Sequence, residues 1–200
     1  PGRPRGGYRA GLTIIRLGQD HVRVVTCGAH GNLDRKWFRD NMPADGSAQV
    51  VDQTSAFSTI GVWGPRARDI LGTLTESDIS HEAFKFGTCQ NVELGSTQVL
   101  ASRISYVGEL GWELYVPMES GARLWDLVSE AGRPHGLVPV GIGVYGTTGR
   151  IEKGYRAYGA ELDSERTIVE AGMQRPKVKD ADFVGREAYL KQRDNEPATV

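Results

Sequence analysis

Short β-branched runs joined by glycine turns, with amphipathic helices between them, set the strongest limit on what this chain can fold into. Leu12 to Leu17 alternates and is rich in β-branched residues, Gly18-Gln19-Asp20 turns it and His21 to Thr26 returns, which predicts a hairpin. Asn32 to Met42 then reads as a helix with Leu33, Trp37 and Phe38 on one face. Gln49 to Asp52 and Phe57 to Trp63 read as strands about a Gln-Thr-Ser turn, with Trp63 expected in the core. Gly64-Pro65 ends the second strand, and Pro65 suits the first turn of a helix reaching about Leu74. Thr88 to Leu94 and Thr97 to Tyr106 pair about Gly95-Ser96, and Gly111 to Pro117 pairs back onto the latter. Ser120 to Ala131 is amphipathic and stops at Gly132-Arg133-Pro134; Val140 to Lys153 reads as a glycine-rich helix. Hairpin-joined strands separated by helices imply an α+β fold, mainly antiparallel sheets with packed helices, rather than a doubly wound parallel sheet.

Composition narrows the function classes. With 24 basic and 25 acidic residues, net charge −1, the electrostatic footprint of a nucleic-acid binder is missing. No apolar run reaches the roughly 18 residues of a membrane span, and Pro1 to Ala10 has no apolar segment of a secretory signal. Cys27 and Cys89 make neither a disulfide framework nor a four-ligand zinc set, so a reducing, cytoplasmic setting is the expectation. Pro1 to Arg5 resembles a linker or truncated start, and Glu196 to Val200 stops where a new strand would begin. The expectation is an internal piece of a longer protein.

Three places carry candidate chemistry. In Arg103 to Glu113 (RISYVGELGWE), a four-residue loop over Gly108 to Gly111 would set Tyr106 opposite Glu113 on one sheet face. A carboxylate beside a ring suits a flat, nitrogen-rich heterocycle, accepting parallel N–H bonds while the ring packs on its face; the competing reading is an ordinary cross-strand surface pair. Arg150 and Glu152 cannot share a helical face, so one of the two is free to point inward. An inward Arg150 could clamp a carboxylate tail, whereas a solvated, salt-bridged face is the plain alternative. Cys27 and His30 form a Cys-x-x-His pair with no second pair to complete a zinc site, so no metal is expected, and Cys89 reads as core packing. No dinucleotide fingerprint, phosphate-loop lysine or nucleophile elbow is present.

Four segments in order, Arg103 to Tyr115 (RISYVGELGWELY), Arg150 to Gly159 (RIEKGYRAYG), Glu170-Ala171-Gly172 and Asp182 to Arg186 (DFVGR), resemble the tetrahydrofolate-binding domain of the glycine-cleavage T-protein (aminomethyltransferase) family. Gly6-Gly7-Tyr8-Arg9 running into Leu12-Thr13 is most similar to the folate domain of dimethylglycine and sarcosine oxidases and dehydrogenases. The resemblance covers Gly6 to about Leu190. It implies a cloverleaf of small α+β domains, with residues 1–5 a linker or truncated start, 6–190 a folate-binding domain incomplete at its N-terminus, and 191–200 the start of a missing C-terminal barrel. It implies that Tyr106 and Glu113 hold the pterin, that Arg150 lies near the aminobenzoyl-glutamate end, and that Tyr158 contributes to the same cofactor site. The cofactor implied is tetrahydrofolate, with FAD in other parts of the parent protein; the partners implied are a small methylated-amine donor and a fused flavoprotein domain.

The departures from the family pattern fall on the chemistry. The family's aspartate shortly after Gly-Gly corresponds to Ala10 or Gly11, and its Asn-Ala-x-Asn to Cys27-Gly28-Ala29-His30. Asp20 lies in the turn and Asp34 in the following helix, so neither restores the acid in register. The catalytic group is therefore unknown: His30 is a candidate proton carrier at neutral pH, against a plain hairpin-end histidine. The resemblance implies one-carbon transfer to tetrahydrofolate within a larger flavin-dependent demethylating enzyme. Its alternatives are a free aminomethyltransferase and a non-catalytic folate-binding scaffold.

Overall fold

In the computed structural model, which describes residues 6–173 and 178–195, the chain forms two compact units. One takes the residues up to Val50 and those from Arg156 onward; the other is Val51–Tyr155. The linker expected at Pro1 to Arg5 and the strand start expected at Glu196 to Val200 lie outside the described residues.

The first unit opens with the predicted hairpin, β1 (Leu12–Arg16) against β2 (Val22–Thr26), antiparallel with Ile14 opposite Val24. Helix α1 (Gly31–Asp40) follows. Its buried Asp34 accepts a hydrogen bond from the Thr26 hydroxyl, fastening the helix to the end of β2. Later in this unit Gly7 bridges Thr167, and a side chain on Gly7 would run into the Ser164 backbone, so this close approach requires glycine. Helix α5 (Arg186–Arg193) buries Tyr189. The buried apolar residues of this unit are few, chiefly Ile15, Leu162, Val169 and Ala171.

The second unit has a true core. Its sheet has four antiparallel strands in the order β3-β6-β5-β4: β3 (Phe57–Trp63), β4 (Cys89–Leu94), β5 (Thr97–Ser102) and β6 (Gly111–Pro117). Alternation sends Ile60, Val62, Val92, Leu94, Val99, Ala101, Trp112, Leu114 and Val116 to one face. There they pack with Ala67 and Leu71 of α2 (Ala67–Gly72) and with Leu124 and Val128 of α3 (Gly121–Gly132). Phe84, fully buried in the connection to β4, sets its edge on the Trp112 ring at 5.9 Å between centroids.

Four expectations need correction. Gln49 to Asp52 forms no strand; the Asp52 carboxylate instead accepts from the Thr54 amide and hydroxyl and starts a 3-10 turn, Thr54–Ala56. Strand β5 stops at Ser102, four residues short of Tyr106. Trp63 is half-buried on the sheet face opposite the core, because alternation gives the core position to Val62. Cys89, also half-buried, stands opposite Ser102 on that same second face. The glycine-rich segment is helical, but its middle, Val144–Gly149, is a π-helix that runs into α4 (Arg150–Glu152).

Candidate functional site

Away from its core, the four-stranded sheet presents a second face that positions Glu113. On β6, Gly111, Glu113 and Tyr115 share this face, and the register sets Glu113 opposite Gly61 of β3 and Ser102 of β5. The expected cross-strand pair of Tyr106 with Glu113 is therefore replaced by Ser102 with Glu113. The cause lies in the 103–110 connection. Arg103 turns inward, donating to the Phe84 carbonyl, while its amide stays on Thr88 of the β4 side. The chain then leaves β6 as an eight-residue excursion rather than a four-residue loop. Gly108 adopts φ +78° there, and Val107 packs where a side chain on Gly149 would stand.

Glu113 is half-buried, and its only hydrogen bond or ion pair among the described residues comes from the Tyr115 hydroxyl two positions along the same strand. Burial raises its carboxyl above the usual range, partly countered by the Tyr115 bond. A carboxylate can accept about four hydrogen bonds, so this half-buried acid, with one protein donor among the described residues and no cation, retains accepting capacity. Such a group has room to accept further N–H donors.

Beside it stands an aromatic cluster. The Trp63 indole lies flat across the sheet because the positions beneath it are Gly61 and Gly111; a side chain on either would overlap the ring. Its Nε1 donates to the Ile104 carbonyl at 3.3 Å. Tyr145, carried by the π-helix, stacks on Trp63 at 5.3 Å. Tyr106 lies tilted on Tyr145 at 5.0 Å and stacks on Tyr155 at 6.1 Å. Tyr106 thus lies among aromatic rings instead of opposite Glu113 in the sheet.

Arg150 is 5% exposed while Glu152 faces solvent, so the arginine is the member of the pair that turns inward. Its Nε donates to the Gly146 carbonyl at 2.5 Å and its Nη1 to the Tyr155 carbonyl at 3.0 Å. The guanidinium ties the π-helix to the strand of chain that carries Tyr155.

Tyr158 belongs to the other unit, where His30 sets its ring edge-on at 4.9 Å and Tyr8 lies at 6.3 Å. Burial raises the Tyr8 phenol above its usual value. Ala10 and Gly11 carry no carboxylate, and the nearest atoms to a side chain built at Gly11 are those of the Tyr8 ring and hydroxyl, at 4.0 Å.

Sequence reasoning missed Trp63, Tyr115, Tyr145 and Tyr155. Tyr115 was detectable, since it lies two residues from Glu113 and shares its face. Trp63 had a weaker signal, a tryptophan two residues after a strand glycine. Nothing in the local pattern of Val140 to Lys153 signals a π-helix.

The model for the GCVT N-terminal domain matches residues 2–179. The aminomethyltransferase of Thermoanaerobacter sp. (strain X514) is 33% identical over 190 residues, covering 94% of this chain and 51% of that protein. The mitochondrial dimethylglycine dehydrogenase of Mus musculus is 36% identical over 196 residues, covering 94% of this chain and 22% of that protein. The chain thus spans about half the length of that aminomethyltransferase and about a fifth of the dehydrogenase. Among solved structures, a chain of the heterotetrameric sarcosine oxidase from Corynebacterium sp. U-96, in complex with pyrrole 2-carboxylate, shares the fold. Its TM-score is 0.52 at 20% identity, over 68% of this chain and 66% of that one. Antiparallel sheet, helices and matched sequence agree: the chain belongs to the GCVT N-terminal domain family, as an aminomethyltransferase-type domain related to the glycine-cleavage T-protein and to dimethylglycine dehydrogenase.

Proposed function

We propose that this chain is the tetrahydrofolate-binding domain of a larger enzyme that takes a one-carbon unit, methyl or methylene, from a small methylated amine. One observation carries the reading: Glu113 is a half-buried carboxylate with a single hydrogen-bond donor, beside an aromatic cluster. That donor set fits a pterin, whose amidine-like edge offers parallel N–H groups and whose plane suits packing against rings. When bound, tetrahydrofolate supplies the nitrogen that takes up the carbon. Glu113 accepts from the pterin edge and fixes its orientation. Tyr106 packs beside the ring system, and Arg150 lies toward the glutamate tail.

The relatives named dimethylglycine dehydrogenase and the fold shared with sarcosine oxidase support a parent that demethylates amines. FAD would then be held by parts of that parent outside this sequence. Two observations favour rival readings. The match to aminomethyltransferases supports a free transferase, and the residues Ala10 and Gly11 support a folate-binding scaffold without chemistry. No catalytic acid or base is assigned.

The test is calorimetric titration of tetrahydrofolate into the full-length protein and its Glu113→Ala variant. Wild-type binding that the variant weakens by about 2 kcal/mol, the cost of removing a charge-assisted bond, supports the site. Equal binding by both removes Glu113 from it. Absence of binding in both refutes the folate reading. Amine-dependent formation of the one-carbon-loaded folate separates the enzyme readings from the scaffold.

A further inference from the structure

We infer that Tyr115 is a positioning residue for the Glu113 carboxylate: its hydroxyl pins one oxygen of Glu113, directing the other outward and holding the group ready to accept from a ligand. This rests on the folate reading above and deepens it. Tyr115 and Glu113 are two apart on β6, so both side chains leave the same sheet face, and the hydroxyl donates to Oε2. Tyr115 is 4% exposed, and a buried ring cannot swing away to release its partner. Its backbone is held in both directions, opposite Thr59 on β3 and Leu100 on β5. The donor is thus built into the ladder rather than recruited.

The pair stands apart from other charges on the sheet. Opposite Glu113 are Gly61 and Ser102, neither of which titrates, and the remaining residues of β3 and β5 on this face are equally neutral. On β4, two strands away, Cys89 and Glu93 share the face. The neighbouring cluster contributes the phenols Tyr106, Tyr145 and Tyr155, and behind it Arg150 is engaged with backbone carbonyls. The interaction that favours the charged form of Glu113 is the Tyr115 bond, set against burial. A tyrosine here supplies what an arginine would supply elsewhere, without neutralising the charge a ligand must meet.

The test has a readout that needs no folate. In full-length protein with glutamate carboxyls labelled with 13C, the Glu113 signal is identified by its loss in Glu113→Gln. In Tyr115→Phe, its titration midpoint should rise by about one pH unit, the equivalent of one charge-assisted bond. Tetrahydrofolate affinity should fall about tenfold at pH values below both midpoints, and the loss should shrink as pH rises and both proteins ionise fully. Where Tyr115→Phe does not fold, protein made with 3,5-difluorotyrosine serves: a stronger donor should move the midpoint down. An unmoved midpoint overturns the inference. A moved midpoint in a protein that does not bind tetrahydrofolate supports the Tyr115 assignment and overturns the folate reading alone.

Discussion

Replacing Gly61 by alanine tests how the aromatic cluster is seated. Gly61 has no unusual backbone conformation, so the substitution adds one methyl group and nothing else; that methyl would overlap the Trp63 indole. The indole cannot yield freely, because its Nε1 is bonded to the Ile104 carbonyl and its face is stacked on Tyr145. Lifting it sacrifices a ring stack of about 1 kcal/mol and a hydrogen bond of about 1 kcal/mol. Alanine in a strand returns about 0.5–1 kcal/mol of backbone entropy, so the net loss should be about 1–1.5 kcal/mol. Urea denaturation of the full-length protein measures it, and near-UV circular dichroism reports whether the tryptophan has changed its surroundings. Gly72→Ala is the control: no atom lies within 4 Å of its added carbon, so stability should hold or rise slightly. A Gly61→Ala protein as stable as wild type, with an unchanged near-UV spectrum, would refute the claim that Gly61 seats the indole.

Other perturbations have equally defined outcomes. Phe84→Ala, at a site with no exposure and against the Trp112 ring, should cost about 3–5 kcal/mol in denaturant unfolding. Because burial raises the Glu113 carboxyl, the folded chain holds its proton to higher pH than the unfolded one. Stability contributed there is present below the unfolded value and declines as pH rises through the raised one. Glu113→Gln should therefore lessen the fall in melting temperature across that interval, read by thermal unfolding against pH, while weakening folate binding. Arg150→Lys cannot donate at once to Gly146 and Tyr155 as the guanidinium does, and should destabilise the protein by about 1–3 kcal/mol, read by thermal unfolding.

The parts of the fold that local periodicity controls were legible. The Leu12–Thr26 hairpin and the helix over Asn32 to Met42 follow from alternation, turn residues and one apolar face. Helical spacing separates Arg150 from Glu152, so the sequence allowed one of them to turn inward; that it is Arg150 depends on the carbonyls of Gly146 and Tyr155. The errors arise where a distant contact decides. Tyr106 reads as strand because the alternation continues, but Arg103 is drawn to a carbonyl 19 residues earlier and ends the pairing with β6. Val50 and Val51 look like strand residues, yet none of the described residues pairs with them and Val51 is 71% exposed. Trp63 left the predicted core because two glycines, one of them 48 residues further along, open a flat bed on the other face. The charge on Glu113 was visible in the sequence; the absence of a charged partner opposite it on β3 and β5 was not, because that depends on what faces it across two strands.

The π-helix makes chain length a determinant in its own right. A turn that closes at the fifth residue holds one residue more than an α-helix would use, and here that surplus lies among Gly146, Thr147 and Thr148. Tyr145 and Arg150 are five apart, which an α-helix would leave on well-separated sides, roughly 140° around the axis; the wider turn brings them toward one side. Removing a single residue would let the helix tighten to a regular ladder with little loss of packing or polarity. Tyr145 and the arginine would then stand four apart, about 40° around an α-helical axis, and would still share one side. A relative one residue shorter in this segment can therefore keep the pairing by exchanging the π-helix for a regular α-helix.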